Sequence, residues 1–234
     1  MTLFEALTAA KQKIDRLDAR LLLQYATGCT HTDILARPET PVIEPARAQF
    51  AEWVERRAAG EPLAYLVGEA EFRGRVFQVS PAVLIPRPET EVLIDLALEK
   101  LGSLSSPKVL DLGTGSGIVA ISLALEYPVT ETVAVDVSKD AIFVARNNAG
   151  RLGAKVDFRH GDWFAPVIGE RFDLIVSNPP YVAEGDPHLE LNGLPFEPHL
   201  ALTDQVPNGD GLACIRHIVA HAAAHLKPGG WLLF

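Results

Sequence analysis

Residues Lys108-Val109-Leu110-Asp111-Leu112-Gly113-Thr114-Gly115-Ser116-Gly117-Ile118 join a short apolar run to three glycines at alternate positions, and these open into a second apolar stretch that runs to Glu126. The first run has the length of a buried strand and the second that of a helix. Glycine permits the sharp turn between them and lets another group come close to the backbone. The alternation then repeats. Strands are expected at Lys108 to Leu112, Thr132 to Asp136, Val156 to Arg159, Phe172 to Ser177 and Trp231 to Phe234, with helices near 117–126, 138–151 and 210–225. Strand, helix, strand in succession predicts an α/β fold, a Rossmann-like doubly wound parallel sheet with helices on both faces. Ligands of such sheets bind at the carboxyl ends of the strands.

Upstream the periodicity differs. Leu3, Leu7, Ala10, Ile14, Leu17 and Leu21 recur every three or four positions, which predicts one long amphipathic helix. A short helix is expected after Thr32, and another around Phe50, Trp53 and Val54. From Glu71 the pattern alternates through Phe72, Val76, Phe77 and Val79, then Val83 to Ile85 beyond Ser80-Pro81, and reads as a β-hairpin. Thr90 is expected to cap a helix through Leu101. The expected division is a small helical domain over 1–70, a hairpin linker over 71–88 and the α/β domain over 89–234. The chain stops at Phe234 inside an expected strand, so the sheet is expected to be truncated at its C-terminal end.

Composition narrows the function classes. Of 234 residues, 48% are hydrophobic and 22% charged, ordinary for a folded soluble chain. The net charge of −9, with basic residues scattered, disfavours a broad phosphate-tracking surface, so direct nucleic-acid binding is not expected. The two cysteines, Cys29 and Cys214, are too few for a disulfide framework and are expected to be reduced and buried, in a cytoplasmic protein. No apolar run approaches the ~20 residues of a membrane span.

The chemistry sits at strand ends. Gly113, Thr114, Gly115, Ser116 and Gly117 lead into a helix N-terminus that offers free N–H donors. Asp136 ends the second strand, where a carboxylate can accept from both hydroxyls of a ribose. A dinucleotide fingerprint wants its third glycine where Ile118 stands, so the spacing favours S-adenosylmethionine over NAD. Asp162-Trp163 follows the third strand, with Trp163 placed either to border an adenine or to fill the core. After the fourth strand comes Asn178-Pro179-Pro180-Tyr181. Neither proline can continue a ladder, so backbone carbonyls are free to face a ligand. The Asn178 oxygen and the Pro179 carbonyl form two acceptors for a planar amine or amide, and Tyr181 offers a stacking face.

An amide and the amino group of a flipped adenine both present such a planar nitrogen. A non-catalytic cofactor-binding fragment is a third reading. His188, His199, His217, His221 and His225 invite a metal reading, the last three falling at helical intervals of four, but no acidic or cysteine partner accompanies that row, so a solvated helix face and no metal site is expected.

These residues resemble the class I S-adenosylmethionine-dependent methyltransferases, and within them the PrmC/HemK family of glutamine methyltransferases that modify peptide chain release factors. The resemblance rests also on Tyr65 to Gly68, Phe72-Arg73-Gly74, Leu84 to Glu91, Phe196-Glu197-Pro198 and Gly209-Asp210-Gly211. It implies that the glycine loop, Asp136, Asp162, Trp163 and Asn178 hold S-adenosylmethionine. It implies that Asn178, Pro179, Pro180 and Tyr181 hold the glutamine of a Gly-Gly-Gln loop, with Asn178, Pro179 and Tyr181 catalytic. It further places Arg87 and Glu89 near the substrate and the N-terminal helices against the release factor. Family members continue past Lys227-Pro228-Gly229-Gly230 with further elements, so this form is expected to be a fragment.

Overall fold

The computed structural model describes residues 1–102, 104–191 and 193–234, which form two compact units, Met1–Gly68 and Glu69–Phe234.

The first unit is helical: α1 (Leu3–Ala10), α2 (Arg16–Thr27), α3 (His31–Ala36), α4 (Ala46–Ala58) and α5 (Leu63–Val67). The single long helix expected from the apolar spacing is two helices. The Asp15 side chain accepts from the Leu17 N–H at 2.7 Å and caps α2, ending the continuity at residues 11–15. Such a cap contributes about 0.5–2 kcal/mol and competes with helix continuation at that point. The apolar stripes meet in one core around Leu3, Leu22, Leu23, Phe50 and Val54. Arg57 reaches Asp18 at 2.7 Å and ties α4 to α2. Helix α5, five residues long, is too short to show a period in the sequence.

The second unit opens with β1 (Glu69–Phe72) and β2 (Arg75–Gln78), an antiparallel pair. Arg73 and Gly74, with φ of 50° and 69°, form the two-residue turn, and Phe72 meets Phe77 edge to face at 6.2 Å. The hairpin therefore closes within 69–78. Val83 to Ile85, expected as a strand, is not one, because prolines at 81 and 86 bound it closely and the Ile85 N–H is taken by the Glu197 side chain. Next is α6 (Thr90–Leu101). Thr90 does not cap it: Glu89 stands at the N-cap without a side-chain bond, and Thr90 is buried with its hydroxyl turned to Asn178.

The remaining strands and α-helices are β3 (Lys108–Leu112), α7 (Ile118–Glu126), β4 (Glu131–Asp136), α8 (Lys139–Leu152), β5 (Asp157–His160), β6 (Phe172–Ser177), the short α9 (His199–Leu202), α10 (Ala213–His225) and β7 (Leu226–Leu233), alternating as far as β5. The sheet is parallel in the order β5-β4-β3-β6-β7, the doubly wound arrangement the sequence predicts. Side chains alternate across it. Val109, Ala134, Leu174 and Val176 pack with α6, α7 and α8. Leu110, Leu112, Val133, Val135 and Ile175 pack with Ile218 and Ala222 of α10 on the other face. β7 begins five residues before the expected Trp231, with a register shift that passes over 227–230. The strand order reverses between β3 and β6, which opens a crevice at their carboxyl ends. Among the described residues no helix is long and apolar enough to cross a membrane.

Candidate active site

A cavity of about 340 Å³ lies at that crevice, within the range of small-molecule sites. Its floor is the strand-to-helix turn after β3. Gly113, Gly115 and Gly117 all have positive φ, at 71°, 55° and 84°. At Gly117 a side chain is also excluded by space, since a Cβ would lie 2.8 Å from Ile121 Cδ1 and 3.1 Å from Ala145 Cβ. This glycine sets how closely α7 and α8 pack below the loop.

Two carboxylates flank the turn. Asp111 is 1% exposed, and its Oδ2 accepts from Thr114 Oγ1 (2.7 Å) and from the Ala120 N–H (3.2 Å). Burial pushes its carboxyl up to about 7, against those two bonds, with a further upward push from Asp136. Asp136 accepts from the Gly115 N–H through Oδ2 and from the Ser138 N–H through Oδ1, both at 2.8 Å. Its carboxyl is also raised by burial, which the Ser138 and Gly115 bonds oppose. Each of its oxygens keeps lone-pair capacity for a ligand hydroxyl. Asn148, which is fully buried, ties the loop to the hairpin by donating to Ser116 O (2.9 Å) and Gln78 O (3.0 Å) and accepting from the Gln78 N–H (2.7 Å).

The side walls come from separate segments. Trp163 is half-buried with φ of 41°, its ring beside Gly113. Asn178 follows β6, and its Nδ2 donates to Thr90 Oγ1 at 3.4 Å. Arg87 pairs with Glu197 at 2.5 Å.

Two relatives decide the family. A release factor glutamine methyltransferase of Burkholderia pseudomallei is 48% identical over 228 residues, covering 94% of this chain and 79% of the relative. One of Bordetella pertussis is 46% identical over 231 residues, covering 98% of this chain and 84% of the relative. The chain belongs to the release factor glutamine methyltransferase family. Residues 3–68 match the PrmC N-terminal domain and residues 90–192 the methyltransferase small domain. Among solved structures, a T. thermophilus 16S rRNA N2 methyltransferase in complex with AdoMet and guanosine is 25% identical, with a TM-score of 0.52 over 70% of this chain and 40% of that one.

In this methyltransferase the cavity gathers Gly113, Thr114, Gly115, Ser116, Asp136, Asp162, Trp163, Asn178, Pro180 and Arg87 of the residues singled out by sequence. Gly117 lies under the loop, Pro179 is buried beside the wall, and Tyr181 and Glu89 are exposed outside it. Sequence reasoning did not place Pro198, Leu200, Ala201, Thr203 and Asp204 at the cavity, yet they line it. They carry no spacing signal, because only the return of the chain from residue 197 brings them there. The cysteines are free and half-buried rather than buried. His217 and His221 stack at 4.3 Å on α10, and His225 stacks on Phe164 at 4.6 Å. Among the described residues no group of three or more histidine, cysteine or acidic side chains is arranged to hold a metal.

Proposed function

We propose that this chain transfers a methyl group from S-adenosylmethionine to the side-chain amide nitrogen of a glutamine in a peptide chain release factor, the glutamine of its Gly-Gly-Gln loop. The observation that carries the reading is the setting of Asn178. It lines the cavity wall, and its Nδ2 donates to Thr90 Oγ1 at 3.4 Å, so the acceptor oxygen of the amide is the group it has to offer a ligand.

The residues present suit the cofactor. At positive φ, Gly113 and Gly115 would present bare backbone to the cofactor, Asp136 would accept from ribose hydroxyls, and Trp163 with Asp162 would border the adenine. When bound, S-adenosylmethionine would supply a methyl activated on a sulfonium sulfur, the S–C bond breaking as the N–C bond forms and the sulfur leaving as a neutral thioether. The protein has to make an amide nitrogen nucleophilic, although its lone pair is delocalised by the resonance that gives amides a rotation barrier of ~18–20 kcal/mol. The Asn178 Oδ1 and the Pro179 carbonyl each accept one N–H of the glutamine amide. They fix its rotation and stabilise the positive charge that grows on nitrogen as the methyl arrives. Pro180, Tyr181, Arg87 and Glu89 hold the surrounding peptide. Alignment of the two reactants supplies on the order of 7–11 kcal/mol of the barrier. The methylated nitrogen sheds one proton to water, so no side chain is assigned as an essential base. We assign recognition of the release factor to the helical domain over 1–70, the link to the hairpin segment over 71–88, and transfer to 89–234, all in the cytoplasm.

The test is peptide mass analysis of a release factor incubated with the protein and S-adenosylmethionine, beside Asn178→Ala. One methyl on the glutamine of Gly-Gly-Gln, with turnover reduced at least roughly 10²-fold in the variant, is expected. Transfer to adenine in duplex DNA instead, or normal turnover by Asn178→Ala, would overturn the assignment.

A further inference from the structure

We infer that Glu197 is a positioning residue for methyl transfer, holding the segment from Ile85 to Thr90 and, through Thr90, the amide of Asn178; this rests on the role given to Asn178 above. The Glu197 side chain is 2% exposed, although it carries a carboxylate. A buried carboxylate is costly unless its oxygens are paired, and these are. Oε2 accepts from the Ile85 N–H at 3.1 Å, and Oε1 accepts from Arg87 Nη2 at 2.5 Å. No ladder competes for that N–H, because the segment is not a strand. Five residues beyond Ile85, Thr90 meets Asn178.

The chain after Glu197 reaches the opposite side of the same cavity. The Val182 N–H donates to Leu202 O at 3.0 Å, and Val182 bridges Thr203 just after Tyr181. The stretch 197–203 therefore bonds to the segment that orients Asn178 from one side and to the segment that follows it from the other. Glu197 supplies its charged anchor. An apolar side chain of similar size would fill the space but would leave the Ile85 N–H and the Arg87 guanidinium unpaired. The carboxylate fixes the backbone rather than the volume.

The test compares wild type, Glu197→Ala and Glu197→Gln in three measurements: turnover on a release factor, S-adenosylmethionine affinity by calorimetry, and hydrogen exchange by mass spectrometry over peptides covering 84–92, β3 and β6. Expected for Glu197→Ala is a kcat lower by roughly 10- to 100-fold, the scale of a small misplacement of reacting groups. Affinity for S-adenosylmethionine stays within about twofold, and exchange quickens in 84–92 but not in β3 or β6. Glu197→Gln, which keeps one acceptor, falls between; it decides the matter if the alanine variant exchanges faster everywhere. Wild-type kcat in both variants, a loss confined to S-adenosylmethionine affinity, or unchanged exchange over 84–92 would overturn the inference. If wild type methylates no release factor, the substrate reading fails by itself, and the exchange measurement still decides whether Glu197 holds this segment.

Discussion

Replacing Asp111 by asparagine isolates the cost of keeping a charge under the glycine loop. The carboxyl is 1% exposed and lies at about 7 in the folded protein against an ordinary value of 3.8. Because the folded value is the higher one, the folded state holds the extra proton. The stability this group gives is complete below 3.8 and is lost as pH rises through about 7. Between those values the loss is about 1.4 kcal/mol per pH unit, and it levels off above the folded value. From about pH 5.5 to about pH 8 it comes to about 2 kcal/mol, or roughly 4–8 °C in Tm for a unit of this size. Asparagine keeps an oxygen that can accept from Thr114 and from the Ala120 N–H but does not titrate. Thermal melting of both proteins across this range should show the variant gaining about 2 kcal/mol on wild type from the acidic to the alkaline end. Melting curves that stay parallel would refute the claim that burial holds this carboxyl neutral.

Three further outcomes are expected. Gly211→Ala places a Cβ 2.5 Å from Tyr181 O and 2.7 Å from Ala183 N at a φ of +78°; it should cost about 1–3 kcal/mol in urea unfolding and lower turnover by displacing the backbone after Asn178, and wild-type values in both would count against that contact. Asn148→Ala leaves Ser116 O, which is buried, and the part-buried Gln78 N–H and Gln78 O without their partner; at about 1–3 kcal/mol for a buried group left unsatisfied, urea unfolding should show a loss of at least about 1 kcal/mol, together with weaker S-adenosylmethionine binding in calorimetry. Glu126 is held below the usual carboxylate range by the Arg73 hydrogen bonds, then by Arg75. Its contribution is present above 4.5 and lost as pH falls through its lower folded value, so the stability gap between wild type and Glu126→Gln should close on acidification, as read by melting across that range.

Local pattern made most of the α/β unit legible. The runs at 108–112 and 172–177 were readable to the residue because a buried strand leaves an apolar run with a polar or glycine stop, and β3 and β6 have those bounds. Where a side chain competes with a periodicity, the reading failed. Asp15 broke the long helix by capping a new one, and Thr90 gave its hydroxyl to Asn178, 88 residues away, instead of to its own helix. The strand expected at Val83 to Ile85 was lost to Glu197, 112 residues from Ile85.

The sequence by itself determined the strand–glycine–helix unit, the carboxylate that ends β4 and the Asn-Pro-Pro-Tyr stop after β6. Each is a local consequence of backbone freedom, apolar period or a missing N–H, and neighbouring residues suffice to show it. Only the tertiary structure decided what faces the cavity: that Tyr181 and Glu89 stand outside it, that residues 198–204 form part of its wall, and that Arg87 is neutralised by a buried Glu197. Those outcomes depend on which distant segment supplies the partner of a buried polar group. Burial requires such a partner to exist, but the spacing of residues along a chain does not name it.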